Sequence, residues 1–560
     1  MVLTKSSCRQ IAIFILSLSL LVILASIVVM SLVPPVSRDA LVHHLAIPKL
    51  YLKHGGIYEI PFMDFSYYPM NLDLLYMIPL YLGNDIIPKL IHFSFALLTA
   101  WLIFSYLKKR AGLVYGLSGA VFFLSIPVIV KLSINVYVDL GLIFFSFTAL
   151  LLILKWMNDG FKIKYLICSG GMCGLALGTK YNGLITFVLL ALFIPYLYSR
   201  YSKDKKQINR KSLIYFFYFV FTAIIIFSPW MIRNYCWKGN PVYPLYNTVF
   251  NPPAQATANS IKGNLEKKVL QNRGLFTYRH IIYKESGLEI FMLPLRIFFQ
   301  GQDDDPRFFD GRLNPFLLFF SIFAFFPVKK GPVTIRRENL IMLSFSILYI
   351  LIAMFTTAMR IRYISPVIPA FSVLSIMGVK NLFELIKAGP SDIRNRAYNI
   401  FVIFLFMICL SMNAVYIRDL FVKVDPLPSI KGRITRDEYI SKFIPEYPAL
   451  KYINENLPQD SKILFVYIGR RGYYCDRDYV TDEGMLPGII LNASKPEEIL
   501  SLLQKRGITH ILVSFPVFDK WVKDNCSTAR QEMINAFFRG YTLPAFYKNS
   551  IGLNILKYVD

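Results

Sequence analysis

The chain has 560 residues, of which 55% are hydrophobic and only 17% are charged, and its formal net charge is +26. Soluble domains usually carry about 25% charged residues, so the composition excludes an ordinary soluble globular protein. The excess positive charge lies mainly in short loops between apolar runs, without the aromatic and basic motifs of nucleic-acid binding. The composition therefore predicts a multi-pass membrane protein that does not bind nucleic acid.

The first apolar run, AIFILSLSLLVILASIVVMSLV at residues 12–33, is long enough to cross a bilayer as a helix. It exceeds the apolar core of a cleaved signal peptide, which is about 7–15 residues long. No small-residue cleavage site stands between it and the double proline that follows. We expect this run to remain in the protein as its first span.

Apolar runs farther along the chain bring the predicted number of spans to eleven. The predicted spans are residues 11–33, 86–107, 112–131, 137–157, 165–179, 181–198, 213–231, 314–328, 339–357, 363–383 and 398–417. With the N-terminus inside, the short basic loops at 108–110, 155–164, 199–211, 329–338 and 387–396 all fall on one side. Basic residues in short loops stay in the cytoplasm, so we expect a cell (inner or plasma) membrane protein whose C-terminal region is extracytoplasmic.

Two long loops and the C-terminal region lie outside the membrane in this topology. The first outer loop, residues 34–85, has helical and amphipathic segments of the kind that lie along the membrane interface, and the second covers residues 232–313. We predict a transmembrane domain over residues 1–417 and an extracytoplasmic α/β domain over residues 418–560. Helical patterns at YPALKYINENLP and KPEEILSLLQKRGI alternate there with strand patterns at KILFVYIG, THILVSF and GLNILKYV.

Polar residues stand at the outer ends of several predicted spans. They are the carboxylates Asp39 and Asp139 and the cations Lys180, Arg233, Arg360 and Arg362. Each could have a plainer role, because Asp residues often cap helices and long cations extend towards lipid headgroups. The set as a whole favours a functional site, since ionisable groups at membrane depth are costly and usually have a role.

Cations beside one or two carboxylates suit the transfer of a group from a lipid phosphate. The phosphate is already a good leaving group, and its developing negative charge needs Lys or Arg nearby. The incoming hydroxyl or amine needs a base, which one Asp can supply. Glycosidases differ, because they need two carboxylates on either side of the bond that breaks.

The motifs RDALVHHL, FSYYPMNLDLLY, NVYVDL, GLALGTKYNGL, SPWMIRNYCWKGNPVYP and RIRYISPVIP occur in this order over residues 35–380. Together they resemble the GT-C fold glycosyltransferases, especially the superfamily of dolichyl-phosphate-mannose protein mannosyltransferases and bacterial lipid A aminoarabinose transferases. The resemblance implies an α-helical polytopic GT-C domain with an extracytoplasmic domain appended. It also implies a polyprenyl-phosphate-linked sugar donor, membrane lipids as surroundings and an inverting transfer to a glycan, lipid or protein acceptor in the cell envelope.

By position, the resemblance assigns roles to single residues. Asp39 matches a carboxylate that serves as base or orients the acceptor, and Asp139 matches a second acidic position. The donor phosphate is assigned to Lys180, Arg233, Arg360 and Arg362, and substrate contacts to His44, Tyr68 and Asn234.

Two departures from the family pattern bear on the site. The pair His43-His44 stands where relatives often have Tyr-His, and Asp39 is followed by Ala40 where many have Glu. The second change removes one possible metal ligand, so we expect no cofactor. Binding of a divalent metal stays an alternative.

Several features of the sequence admit more than one interpretation. The run Asp303–Asp305 is either a solvated loop or a metal site, and Cys475 and Cys526 either pair or remain free. The main rival function is a membrane transporter, and a second is a non-catalytic membrane assembly subunit. The sequence identifies neither the sugar nor the acceptor.

Overall fold

The computed structural model describes residues 5–203, 207–252, 275–326, 333–356, 359–386 and 392–557. Within these ranges, eight helices are long and apolar enough to cross a membrane. They are Ser7–Ser31, Ile87–Ala111, Asp139–Asn158, Gly183–Tyr201, Ile208–Lys238, Val333–Met354, Ile361–Leu385 and Asn395–Val424. The predicted multi-pass, mainly helical architecture is therefore confirmed.

Three predicted spans have a different form. The third is a pair of helices, Leu113–Ser125 and Pro127–Ser133, bent by 67°; the second helix of the pair begins with a proline, which breaks helices but is tolerated at their first position. The fifth is the 17-residue helix Ile163–Thr179. The eighth is only the 8-residue helix Phe316–Phe323. Apolar runs alone did not predict that these helices would be short or bent.

Contacts between residues divide the chain into two compact units. The first unit comprises residues 1–32, 68–75 and 87–426, and the second comprises residues 33–67, 76–86 and 427–560.

Small residues let helices of the first unit pack closely. A Cβ added to Gly170 would lie 2.7 Å from the Phe219 carbonyl oxygen, and one added to Gly174 would lie 2.6 Å from that of Ala223. These two glycines are four residues apart on the helix Ile163–Thr179, so they form one stripe facing the helix Ile208–Lys238. Such spacing of small residues is typical of close helix pairs in membranes.

A buried carboxylate joins three helices of the first unit. The Glu338 side chain has no exposed surface, and it accepts hydrogen bonds from Arg110 Nε and Nη2, Tyr106 Oη and Asn158 Nδ2, each at 2.6 Å. The Arg110 guanidinium also lies 3.7 Å from the centre of the Tyr106 ring. Asn158 is the last residue of the helix that begins at Asp139, so this cluster fixes the far end of that helix.

The second unit contains a five-stranded mixed sheet. Its strands are β1 (Lys462–Val466), β2 (Asp478–Val480), β3 (His510–Ser514), β4 (Thr542–Lys548) and β5 (Ile551–Leu556), in the order β2-β1-β3-β5-β4. β1 pairs in parallel with β2 and β3, whereas β5 pairs antiparallel with β3 and β4. Helices flank the strands at Arg436–Phe443, Tyr447–Asn456, Met485–Asn492, Pro496–Gln504, Phe515–Asn525 and Thr528–Tyr541.

The predicted strands β1, β3 and β5 are confirmed, and β2 and β4 are strands that the sequence pattern missed. β2 has only three residues. β4 is an edge strand that contains Pro544 and an irregular register, and edges are where sheets tolerate proline.

The first outer loop, except for residues 68–75, forms part of this second unit. It contains the π-helix Ala40–His44, the α-helix Ala46–His54 and the short 3-10 helix Asp64–Tyr67. Leu50 and Phe62 pack against the buried side chains of the sheet. The predicted helical character of this loop is thus confirmed.

The structure distinguishes between the two alternatives for the cysteines of this region, which were pairing in a disulfide or remaining free. Cys475 and Cys526 are both buried and both free, so they do not pair. Burial raises the pKa of the Cys475 thiol to about 12, which keeps the thiol protonated and unreactive at neutral pH.

We predict that Glu338→Gln destabilises the protein, because it leaves the Arg110 guanidinium without its carboxylate partner. Loss of one partner from a buried ion pair costs about 3–5 kcal/mol. Thermal unfolding in detergent should show a lower melting temperature for Glu338→Gln than for Glu384→Gln. Glu384 is a matched control whose i,i+4 pair with Lys380 is partly exposed. Equal melting temperatures would contradict the role of the Glu338 cluster.

Candidate functional site

The centre of the candidate site is an ion pair between Asp139 and Lys180. Lys180 Nζ donates to Asp139 Oδ1 over 2.7 Å, and the Asp139 side chain is 1% exposed. Asp139 is the first residue of its helix, where the helix dipole favours negative charge. Its other oxygen, Oδ2, is buried and makes no hydrogen bond within the described part of the chain.

His92 holds the start of the helix that carries Asp139. The Leu140 backbone N–H donates to His92 Nε2 over 3.0 Å. The other ring nitrogen, Nδ1, lies 3.1 Å from the Leu132 carbonyl oxygen and 2.9 Å from that of Asn135. These contacts assign the proton to Nδ1 and leave Nε2 as the acceptor. Sequence analysis missed His92, because a lone histidine inside an apolar run gives no signal of this contact.

The tight turn at Lys180–Asn182 connects several helices. Tyr181 Oη donates to the Tyr243 carbonyl oxygen over 2.9 Å, and Tyr349 Oη donates to the Asn182 carbonyl oxygen over 3.2 Å. The next residue, Gly183, must be small, because an added Cβ would lie 2.8 Å from the backbone of the preceding helix. The orientation of Lys180 is therefore set by contacts on both sides of the turn.

Arg233, Asn234 and Tyr68 form a second group beside this turn. Arg233 donates to Asn234 Oδ1 and to the Tyr68 carbonyl oxygen, over 2.9 and 3.1 Å from its Nη2. Asn234 Nδ2 donates to Tyr181 Oη over 3.1 Å. The Arg233 guanidinium lies 4.5 and 4.9 Å from the rings of Trp230 and Trp237. Cation–π contacts with the two indole rings restrict the orientation of the Arg233 guanidinium.

Arg362 lies beside the same tyrosine ring as Lys180, whereas Arg360 pairs with a different carboxylate. The Tyr363 ring lies 5.3 Å from the Arg362 guanidinium and 5.2 Å from Lys180 Nζ, the cation that pairs with Asp139. Arg360 Nη1 lies 3.3 Å from Asp310 Oδ2. The structure thus places one predicted phosphate ligand, Arg360, in an ion pair with a loop residue.

Two residues of the aspartate run, Asp303 and Asp304, pair with Lys131. Lys131 Nζ lies 3.0 Å from Asp303 and 3.2 Å from Asp304, and Tyr416 Oη donates to Asp303 Oδ2 over 2.7 Å. Of the two alternatives for this run, a solvated loop suits Asp304, whose side chain is 63% exposed, better than Asp303, whose side chain is 21% exposed. Among the described residues, no group of three His, Cys, Asp or Glu side chains could hold a metal ion.

A buried charge pair also fixes the described part of the second outer loop. Arg279 Nε donates to Glu285 Oε2 over 2.6 Å, and Arg296 Nη2 lies 3.1 Å from Glu285 Oε1. Burial raises the pKa of the Glu285 carboxyl, but the hydrogen bonds and charges of Arg279 and Arg296 outweigh it and leave the pKa below its usual value. Glu285 is therefore ionised at neutral pH.

The remaining predicted site residues, Asp39 and His44, belong to the second unit. Asp39 immediately precedes the π-helix and makes no capping hydrogen bond to it, so a capping role is not supported. π-helical turns are rare and occur often at functional sites. His44 is buried, and its ring lies 4.0 Å from that of His43.

Residues 86–232 match the family described as dolichyl-phosphate-mannose-protein mannosyltransferase. No curated protein sequence matches the chain. The structure is similar to ArnT from Cupriavidus metallidurans in the apo state, with a TM-score of 0.56 and 14% identity over 98% of each chain. It is also similar to ArnT bound to undecaprenyl phosphate, with a TM-score of 0.55 and 14% identity over 96% of this chain and 97% of that one.

A third similar structure is the oligosaccharyltransferase of Archaeoglobus fulgidus, with a TM-score of 0.52 and 11% identity over 93% of this chain and 71% of that one. These structural matches confirm the predicted GT-C fold. The resemblance to the mannosyltransferases is supported by the family match at residues 86–232. This family match also agrees with the glycosyltransferase interpretation rather than with the transporter alternative.

We predict that Lys180→Met lowers the melting temperature strongly, because the Asp139 carboxylate stays buried without its cation. An uncompensated buried charge costs about 3–5 kcal/mol. The double variant Asp139→Asn/Lys180→Met removes both charges and should recover much of the loss. A double-mutant cycle of unfolding in detergent measures this coupling, and additive losses would show that the two side chains do not depend on each other.

Proposed function

We propose that the protein moves a sugar from a polyprenyl-phosphate-linked donor to an acceptor on the extracytoplasmic face of the cell membrane, with inversion at the anomeric carbon. The observation that carries this proposal is the group of oriented cations around Asp139 and Tyr181. It occurs in a chain whose fold matches ArnT almost from end to end, and one ArnT structure holds undecaprenyl phosphate.

In the proposed step, an acceptor hydroxyl or amine attacks the anomeric carbon of the sugar. The new bond forms as the bond between that carbon and the phosphate oxygen breaks, and the electron pair leaves with the polyprenyl phosphate. Lys and Arg side chains stabilise the negative charge that develops on the phosphate. A carboxylate takes the proton from the acceptor.

We assign Lys180, Arg362 and Arg233 to the donor phosphate, because contacts with neighbouring side chains orient each of them. Arg360 has an accessory role, since Asp310 already lies beside it. Asp139 acts through Lys180 and is a positioning residue in this scheme. These assignments need no metal, because the side chains themselves supply positive charge to the phosphate.

Asp39 is the proposed base, on the grounds of its place in the sequence and of its position immediately before a π-helix. His44, Tyr68 and Asn234 are proposed to contact the substrates. We further propose that the N-terminus is cytoplasmic and that the C-terminal region is extracytoplasmic, as the basic loops indicate. The acceptor is a glycan, a lipid or a protein.

We predict that Asp39→Asn lowers the transfer rate at least about 100-fold, since loss of a general base typically costs 10²–10⁴-fold. The measurement uses the protein reconstituted in liposomes with a panel of radiolabelled undecaprenyl-phosphate sugars and cell-envelope extracts as acceptors. Asp64→Asn is the matched control, because Asp64 is an exposed carboxylate in the same loop. Full activity of Asp39→Asn would disprove the assigned base, and failure of the wild type to consume any lipid-linked sugar would disprove the transferase.

We also predict that Arg362→Gln weakens binding of undecaprenyl phosphate about 10-fold or more. Hydrogen bonds to charged groups contribute about 1.5–3 kcal/mol. Equilibrium titration in nanodiscs measures the effect, and Arg418→Gln is the control, because Arg418 is an exposed arginine that pairs with its neighbour Asp419. Equal affinities of wild type and Arg362→Gln would remove Arg362 from the phosphate site.

A further inference from the structure

The segment Tyr473–Asp476 contacts the first outer loop at several separate points. Tyr474 Oη donates to the Pro35 carbonyl oxygen over 2.8 Å, and the Tyr473 backbone N–H donates to the Leu41 carbonyl oxygen over 3.1 Å. These two contacts lie on either side of Asp39. We call this segment the tyrosine clasp.

The clasp also holds the loop beyond Asp39. Lys49 Nζ donates to the Tyr473 carbonyl oxygen over 2.7 Å and lies 2.6 Å from Asp476 Oδ1. Tyr473 Oη donates to Asp85 Oδ2 over 3.3 Å, and Asp85 also pairs with Arg436. One short segment thus contacts the loop from its beginning to its end.

The clasp is itself anchored to the α/β part of the second unit. Asn454 Nδ2 donates to the Tyr474 carbonyl oxygen over 2.9 Å, and Asn454 Oδ1 accepts from the Asp476 backbone N–H over 2.8 Å. Gly472, just before the clasp, lies so close to the Tyr479 ring that a Cβ there would overlap it. The clasp therefore has little freedom to move relative to the sheet.

Apolar packing and the protonation state of the two tyrosines favour these contacts. Leu41 is fully buried and packs with Ile440 and Ile444. Burial, and next the charge of Asp85, raise the pKa of both Tyr473 and Tyr474 above the usual range. Both phenols therefore keep their protons at every physiological pH and remain hydrogen-bond donors.

From this geometry we propose that Tyr473 and Tyr474 are positioning residues for the transfer reaction, which fix the backbone on both sides of Asp39. The inference rests on the proposed function, in which Asp39 takes the proton of the acceptor. A general base must lie within hydrogen-bond reach of that proton, and displacement of a catalytic group by about 1 Å can cost about 100-fold in rate. The C-terminal region then takes part in the reaction through the loop that it orders.

The test uses Tyr474→Phe, which removes only the hydroxyl that binds Pro35 and keeps the ring against Tyr447. Hydrogen exchange of the full-length protein should become about 10-fold faster over residues 36–44. The kcat for undecaprenyl-phosphate sugar should fall about 10–100-fold, while the KM for this donor stays within about twofold. Tyr547→Phe is the control, since Tyr547 is exposed on the edge strand of the same unit; it should leave all three quantities unchanged.

The possible results distinguish the positioning role of the two tyrosines from the sugar transfer on which that role rests. Unchanged exchange over residues 36–44, or faster exchange with an unchanged kcat, overturns the positioning role while the transferase stands. Full activity of Asp39→Asn overturns the base assignment and the positioning role together. If Tyr474→Phe does not fold, Asn454→Ala tests the same role, because it removes the two hydrogen bonds that anchor the tyrosine clasp. Wild-type exchange over residues 36–44 and a wild-type kcat in that variant overturn the inference.

Discussion

The pairing of buried charges is the constraint on which the first unit depends. A carboxylate out of contact with water costs several kcal/mol unless a cation and hydrogen bonds compensate it. Asp139 pairs with Lys180 at the start of the helix Asp139–Asn158. Glu338, on another helix, pairs with Arg110 near the end of the same helix Asp139–Asn158. Because the helix has 20 residues, the two charge clusters are about 30 Å apart. They fix its position between its neighbours from both ends.

This arrangement explains how a group of positively charged side chains can be stable in an apolar protein. Lys180, Arg233 and Arg362 would repel each other if they were flexible and unpaired. Instead, a carboxylate, an amide and aromatic rings hold them. Preorganised charges need no rearrangement when negative charge develops beside them. The arrangement also depends on supporting residues such as His92 and Tyr181, which make hydrogen bonds with backbone groups.

Much of the fold follows from local sequence, and much of the site does not. The apolar runs predict the long spans because hydrocarbon thickness sets their length, but the bend before Pro127 depends on packing. Lys180 is conspicuous as a cation between two spans, whereas His92 acts through a backbone contact to Leu140 that no periodicity encodes. Arg360 has the same local signal as Arg362, and only the folded loop reveals that Asp310 lies beside it. Likewise, nothing near Pro35 indicates that Tyr474 contacts it.

The contacts between Lys49 and Tyr473 join positions 424 residues apart in the chain. During synthesis at about 5–20 residues per second, the first outer loop therefore exists for roughly 20–85 s before its partner is made. In that interval Leu41, Leu50 and Phe62 lack the apolar surfaces that later cover them. The first outer loop therefore lacks its final packing until translation is nearly complete. Correct folding around the proposed base, near the start of the chain, therefore requires that translation continue past the tyrosine clasp.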